Sequence, residues 1–306
     1  MISPKRNPII IHEMRGRMRG RRAFLILSIY LILMSCMAGS VYAFVYSENV
    51  SSSAYNLSSP TIQYGPVIGK SIFTGTVLLL LTIISFIAPG FTAGAIAGEK
   101  ERQTYETLLL TPLRPAQIVW GKLGSVMSFL MIMIFASLPI QSLAFLFGGV
   151  ALEEVIIAAI GLFVTALVFG AMGLYISSFT PTTMIAIIVA YSIGIPFIYG
   201  LPFILFYFIS ALGGGFAGLP GNFPEIGLVI LMYGFGLLLS LNPFGAASLT
   251  ALAAADGQGY FLVNIPLGST TVWFLSPWII YVLFHSCLTL GFLYLTTRRV
   301  AKISHK

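Results

Sequence analysis

Long apolar segments alternate with short polar ones along most of this 306-residue chain. Each long segment holds enough apolar residues, about 20 at a rise of about 1.5 Å, to cross the hydrocarbon core of a bilayer as a helix. The pattern therefore predicts an all-α polytopic membrane protein, with residues 1–306 forming a single transmembrane domain. The six predicted transmembrane helices cover residues 23–46, 71–97, 117–147, 155–178, 184–210 and 273–297.

Two stretches interrupt this pattern. Pro196 and Pro202 fall within the fifth span, and proline removes a backbone donor, so we expect that helix to be kinked or broken. Residues 211–272 contain a 16-residue apolar stretch, Ile226–Leu241, between Gly/Pro-rich sequences. This stretch is short for a span, and a seventh crossing would separate the C-terminal cations from the others. We interpret 211–272 as an outer segment with a re-entrant or interfacial helix before span six.

Composition and charge support a membrane protein and predict its orientation. Apolar residues make up 58% of the chain and charged residues 8%, whereas soluble domains are about 25% charged. All sixteen Lys and Arg residues except Lys70 lie within residues 5–22, 100–122 and 298–306. Cations beside spans collect on the cytoplasmic side. We therefore expect a multi-pass protein of the cell (inner or cytoplasmic) membrane, with both termini cytoplasmic.

The net charge of +7 does not indicate a nucleic-acid partner. Nucleic-acid-binding proteins present a basic face on a folded soluble surface. Here the cations lie beside apolar spans, where membrane lipids are the expected partners.

The segment 7–22 before the first span has the pattern of an amphipathic helix. Asn7 and Pro8 are typical of a helix start. An apolar stripe then lies opposite a cationic one, as in helices that rest among lipid headgroups. We interpret the segment as an elbow helix at the membrane interface; a basic flank that only sets topology is the alternative. The predicted interface cations are Arg15, Arg17, Arg19, Arg21 and Arg22.

Residues 98–116 form the predicted cytoplasmic loop between spans two and three. Charged residues cluster at its start, and the apolar positions 105, 108 and 109 share one face of a helix predicted over 99–110. Pro112 stops this helix, and Pro115 suits the first turn of the next one, which enters the third span. The sequence therefore predicts a short, stiff, charged element between two spans.

This loop resembles the corresponding loop of ABC transporter permeases in the type-2 exporter family. The matching residues are Glu99, Lys100, Glu101, Thr104, Glu106, Leu108, Leu109, Thr111, Pro112, Gly121 and Lys122. Gln103 departs from the family pattern, in which Gly is common at this position, and the departure would leave the helix less bent. The basic segment before span one and the six-span layout are similar to those of the same family.

The resemblance implies a membrane subunit that works with other chains. In the family, this loop carries a coupling helix that docks on a cytosolic ABC ATPase subunit, and a second membrane subunit, identical or related, completes the transporter. No cofactor is then expected on this chain, since ATP and magnesium bind to the partner ATPase. A helix that only packs on its own bundle is the alternative. The implied ATPase contacts are Glu99, Glu101, Arg102, Thr104, Tyr105, Glu106, Leu108, Leu109, Thr111 and Pro112.

The sequence itself predicts no catalytic or metal site. Gly65, Gly69 and Lys70 approach a phosphate-binding loop, but three residues separate the glycines instead of four. Ionisable groups are scarce within the spans, with His285 as the exception, which argues against a proton-coupled carrier. We therefore interpret the chain as the non-enzymatic permease subunit of an ATP-driven ABC exporter. The alternatives are a non-transport ABC component (a mechanotransmitter or envelope anchor) and a structural membrane protein that works without an ATPase.

Overall fold

Helices make up nearly all of the computed structural model, which describes residues 21–55, 64–105, 113–211, 225–267 and 270–304. A π-helical segment, Pro196–Gly200, joins the two parts of the fifth span. The helices are α1 (Arg21–Tyr55), α2 (Tyr64–Glu101), α3 (Pro115–Phe147), α4 (Leu152–Phe179), α5 (Thr183–Ile195), α6 (Leu201–Ala211), α7 (Glu225–Ser240), α8 (Pro243–Ala255) and α9 (Pro277–Ser304). The strands β1 (Leu262–Leu267) and β2 (Thr270–Leu275) pair antiparallel.

Six helical stretches in the described chain are long and apolar enough to cross a membrane, and they correspond to the six predicted spans. The polytopic helical fold class is therefore confirmed. The second of them, α2, begins at Tyr64, earlier than the predicted residue 71. The sequence from Gly65 to Ser71 is consequently helical, and it does not form the open loop that a phosphate would need.

The central helix of the bundle is α2, which packs against α1, α3, α4 and α5. Its contact with α4 is close because Gly173 has no side chain: a Cβ there would lie 2.1 Å from Thr92 Oγ1. Further along both helices, Ser177 Oγ accepts the backbone N–H groups of Ile96 and Ala97 at 3.0 and 2.8 Å. Small residues and polar contacts of this kind hold helices together in membranes, where burial of apolar surface gives little driving force.

Proline interrupts the fifth span, as predicted, and one buried side chain compensates for the interruption. Pro202 has no N–H to donate to the carbonyl groups one turn before it. Asn242, which is fully buried, donates from Nδ2 to the carbonyl oxygens of Phe197 and Ile198 at 2.7 and 3.0 Å. The Oδ1 atom of the same amide caps α8 by accepting two backbone N–H groups of its first turn. Asn242 therefore satisfies two helix ends at once.

Helices α7 and α8 form a sharply bent pair. Their axes meet at 117°. The break between them lies beside the π-helical segment, because Asn242 contacts that segment. Tyr233 of α7 donates to the carbonyl of Trp273 in β2 at 2.7 Å, so the open ends of the pair lie with the β-hairpin, at what we call the hairpin end. A bend of this size fits a re-entrant segment, as predicted for 211–272, and equally a broken span. The β-hairpin is an element that the sequence pattern did not predict.

A largely buried ion pair fastens α2 to α4 at the hairpin end. Lys70 Nζ contacts Glu154 Oε2, and the Tyr260 hydroxyl donates to the other carboxylate oxygen at 3.5 Å. Trp278 Nε1 donates to the Tyr260 carbonyl at 2.6 Å, which joins α9 to the same network. Lys70 is the one cation outside the three basic patches of the sequence, and its carboxylate partner accounts for its position.

Replacing Asn242 with Leu should lower the free energy of unfolding by about 2–4 kcal/mol, because the change removes a helix cap and leaves two carbonyl groups unpaired. Thermal unfolding of the detergent-solubilised protein measures the loss. Asn242→Ser keeps a capping oxygen but is too short to reach the fifth span, so its loss should be intermediate. Pro202→Ala restores an N–H at the break and should recover part of the loss caused by Asn242→Leu. Strictly additive effects in this double-mutant cycle would contradict the compensation.

Candidate functional site

The candidate site lies at the end of the bundle opposite the hairpin, which we call the basic end. Here α2 finishes with three consecutive charged residues, Glu99, Lys100 and Glu101, and each of them contacts a different helix. The Glu99 carboxylate meets Lys122 Nζ of α3 at 2.5 Å. Lys122 also donates to the Ala95 carbonyl at 2.8 Å, and its side chain is only 2% exposed. This buried cation joins α2 to α3.

The second charged residue, Lys100, joins α2 to the end of α4. Its Nζ donates to the carbonyl oxygens of Ser178 and Thr180 at 2.6 and 3.2 Å. The last carbonyl groups of a helix have no partners within it and carry the negative end of the helix dipole, so a cation is favourable there. Lys100 also lies 5.8 Å from the centre of the Tyr105 ring.

The third charged residue, Glu101, joins α2 to the start of α5. Its carboxylate accepts the backbone N–H of Thr183 at 3.0 Å. The N-cap residue of α5, Thr182, makes no side-chain capping hydrogen bond of its own. Glu101 therefore supplies the anionic acceptor that the positive end of α5 favours.

The chain then turns sharply at Gln103. The Thr104 N–H donates to the Glu99 carbonyl at 2.9 Å and the Gln103 N–H to the Lys100 carbonyl at 3.1 Å, the hydrogen-bond pattern of a Schellman motif. Gln103 has φ +58° and thus occupies the left-handed position that usually takes glycine. The continuous helix predicted over 99–110 is therefore wrong: α2 ends at Glu101, and the bend forms despite the absence of glycine.

Tyr105 packs beneath the bundle. It is 7% exposed and belongs to the main apolar core. Burial, and to a lesser extent the Glu99 carboxylate, raises the pKa of the Tyr105 phenol, which keeps it neutral. Tyr105 is one of the implied ATPase contacts, and the structure instead packs it against the chain's own spans.

Arg102, Gln103 and Thr104 are exposed. They form what we call the exposed turn, a short projection whose base is fixed by the three preceding charges. On the far side of the loop, α3 begins at Pro115, as predicted, and Gln117 Oε1 accepts the Arg114 N–H at 2.9 Å. Both ends of the loop are thus anchored in helices.

Several residues of the predicted contact sets lie outside the described residues. Arg21 and Arg22 are the first residues of α1 as described, so of the predicted elbow the structure covers only this end. The predicted contact residues that lie outside the described ranges are Glu106, Leu108, Leu109, Thr111 and Pro112 of the loop, and Arg15, Arg17 and Arg19 of the elbow.

The sequence interpretation missed the structural roles of Lys100, Lys122 and Thr183. A lysine at the start of an apolar span is a signal that could have identified Lys122, since such a cation needs a partner when buried. The partners of Lys100 and Glu101 lie about 80 residues away in the chain, and local pattern does not reveal them.

The C-terminal cations lie at the same end as the loop. Arg299 rests over the Phe179 ring at 5.4 Å, beside the end of α4 that Lys100 also contacts. Arg298 lies over the Tyr294 ring at 4.7 Å. Two of the three basic patches of the sequence are therefore gathered at one end of the molecule, as the charge distribution predicts.

These features define a multi-pass helical membrane protein in which the loop after α2 is braced against three other helices and presents an exposed turn. Residues 7–293 match the family described as ABC-2 family transporter protein. The chain belongs to that family and is a membrane permease subunit of an ABC transporter. A comparison with curated protein sequences gives no significant match.

Gln103→Gly should raise the free energy of unfolding by about 1 kcal/mol, because glycine adopts φ +58° without the steric cost that a side chain incurs. Gln103→Val should lower it by at least about 1 kcal/mol, because β-branched residues tolerate this backbone conformation poorly. Arg102→Gly is the control, since Arg102 does not need the left-handed conformation and should lose stability. A loss of stability in Gln103→Gly as well would refute the assignment of the turn. Thermal unfolding in detergent reports all three.

Lys122→Met should lower the free energy of unfolding by about 3 kcal/mol, because it leaves a partly buried carboxylate without its cation. Adding Glu99→Gln should restore part of the loss, because the unpaired charge is then gone. Lys302→Met, at an exposed cation of α9, should have almost no effect. Chemical denaturation of the purified variants gives the comparison, and equal losses at positions 122 and 302 would be inconsistent with a buried ion pair.

Proposed function

We propose that the chain is the permease subunit of an ATP-driven exporter and that its exposed turn docks on a cytosolic ABC ATPase subunit. The observation that carries this proposal is the set of three consecutive charges, Glu99, Lys100 and Glu101, which tie the loop to α3, α4 and α5. A loop that only connected two spans would not need to be fixed to three other helices.

The proposed mechanism is mechanical. ATP and magnesium bind to the partner ATPases, and closure of two such subunits displaces the turn. Because the three charges join α2 to its neighbours, a push on the turn moves the basic ends of four helices together. Tightly packed helices respond to such a force by moving as rigid bodies and not by deforming gradually.

The ATPase contact that we propose is the exposed turn itself, together with the predicted residues 106–112 that follow it. Glu99 and Glu101 belong to the predicted contact set, and their carboxylates also hold helices of this chain. Their contribution to docking is therefore to position the turn. Arg102 has the side chain best placed to meet a partner's carboxylate, since it is exposed and lies at the tip.

A second membrane subunit, identical or related, would pack against the apolar faces that this chain leaves open. Phe24, Ile29 and Ile32 of α1 and Met184 and Ile188 of α5 are all exposed. Either a second subunit or lipid must cover apolar surface of this kind within a bilayer. In the proposed orientation the basic end is cytoplasmic, both termini included, and the protein lies in the cell (inner or cytoplasmic) membrane.

Arg102→Glu should weaken binding of the ATPase subunit by about tenfold, because a charge reversal at an interface rim introduces repulsion worth about 1.4 kcal/mol. The measurement is ATP hydrolysis by the ABC ATPase subunit that co-purifies with the unmodified permease, titrated with the reconstituted permease variants, together with the amount of that subunit that each variant retains. Thermal stability of the variant should be unchanged, since Arg102 is exposed.

Arg298→Glu is the matched control for this experiment. It makes the same charge change on an exposed residue at the same end of the molecule, in α9 and not in the loop. Stimulation of hydrolysis should survive in Arg298→Glu and fall in Arg102→Glu. An equal loss of stimulation in both variants would indicate a general effect of charge. Full stimulation in both variants would rule out docking through the turn.

A further inference from the structure

A cavity of about 570 Å³ lies at the hairpin end, between α7 and α8. The 117° bend keeps the two helices apart, and the β-hairpin and the start of α9 close the remaining sides. The deeper walls are apolar and include Leu239, Leu249 and Phe274. This volume is within the range of ligand sites, about 300–1,000 Å³.

Polar side chains lie together at one end of the cavity, which we call its mouth: Asp256, Gln258 and Asn264. Backbone and side-chain hydrogen bonds fix the conformation of the mouth. Gly257, with φ +69°, forms a Schellman turn at the end of α8, in which the Gln258 N–H donates to the Ala253 carbonyl at 3.0 Å. Gln258 Oε1 then accepts the Asn264 N–H of β1 at 3.2 Å. The carboxylate of Asp256 is exposed beside this braced pair.

The depth of the cavity matches one leaflet of a bilayer. Its lining on α7 extends from Met232 to Ser240, a length of about 12 Å at the usual helical rise. Half of the hydrocarbon core is about 15 Å. A site that is polar at the surface and apolar inward over this depth has the same polarity profile as a lipid in the leaflet at the hairpin end.

Charge at the mouth favours a positively charged headgroup. Within the described ranges, Lys70 is the only Lys or Arg at the hairpin end, and Glu154 is its partner. The carboxylate of Asp256 is thus the charge that a headgroup would meet. Acidic side chains attract ammonium groups and repel phosphodiesters that lack a compensating amine.

We propose that the cavity between α7 and α8 binds one bilayer lipid, with an acyl chain among the apolar walls and an amine-bearing headgroup at Asp256. This site is distinct from the exposed turn and does not depend on the proposed ATPase partner, so the two proposals succeed or fail separately. The lipid would also fill the gap that the bend opens within the re-entrant pair, and would hold α7 against α8.

The test is photolabelling of the full chain in vesicles of equal parts phosphatidylethanolamine and phosphatidylglycerol, with a trace of either lipid carrying a diazirine near the end of one acyl chain. Peptide mapping should place the phosphatidylethanolamine label on α7, α8 and β2. Ala253→Phe fills the cavity and should reduce this label several-fold. Ala255→Phe is the control, because Ala255 is exposed on the same helix outside the cavity lining and should leave the label unchanged.

A second variant tests the headgroup without altering the cavity walls. Asp256→Lys should lower the ratio of phosphatidylethanolamine to phosphatidylglycerol labelling by about threefold or more, since it replaces attraction of the amine with repulsion at an exposed site. Glu153→Gln, at another carboxylate of the hairpin end outside the cavity lining, should leave the ratio as it was. Equal labelling of α7 and α8 in Ala253→Phe and the unmodified protein would overturn the site. An unchanged ratio in Asp256→Lys would overturn the headgroup assignment.

Discussion

The hydrocarbon core of a bilayer offers no water to a backbone N–H or C=O group, and this constraint governs the whole molecule. Where the fifth span departs from a regular α-helix, a specific side chain supplies the missing donor. Asn242 donates to the carbonyl groups at the proline break of the fifth span and accepts backbone N–H groups from the first turn of α8. Without such partners, the re-entrant pair would bring unsatisfied carbonyl groups into an apolar environment, and the fold would lose the cavity as well as the bend.

At the basic end, the need of helix ends for hydrogen-bond partners also makes the loop rigid. A helix that ends near the membrane surface needs an acceptor at its start and a donor at its end. Lys100 and Glu101 meet these needs for α4 and α5, although both residues belong to α2. The capping of neighbouring helices and the bracing of the loop are therefore one set of contacts. A change that frees the loop would also uncap two spans, so mobility at this site carries a cost in stability.

Hydropathy and charge were enough to predict the six spans and the gathering of cations at one end, because each depends on composition over a long window. The partner of the proline break was not predictable, since Asn242 lies about 45 residues from the carbonyl groups that it meets. The end of α2 was misjudged because Gln103 gives no sign of a left-handed turn. The β-hairpin was missed within an apolar region, although β-branched and aromatic residues on either side of Gly268 and Ser269 are a hairpin signal.

Lys70 and Lys100 lie near opposite ends of α2, and both fasten it to α4. The two lysines are 30 residues apart in α2, so these attachments stand about 45 Å apart along its axis. Two helices that are fastened to each other near both ends form one rigid unit. They tilt or translate together but do not slide past each other. A displacement of either helix at one surface of the membrane would therefore also move the pair at the opposite surface. Helix α9 meets the same pair near both surfaces, through Trp278 at the hairpin end and Arg299 at the basic end, and therefore belongs to this rigid unit.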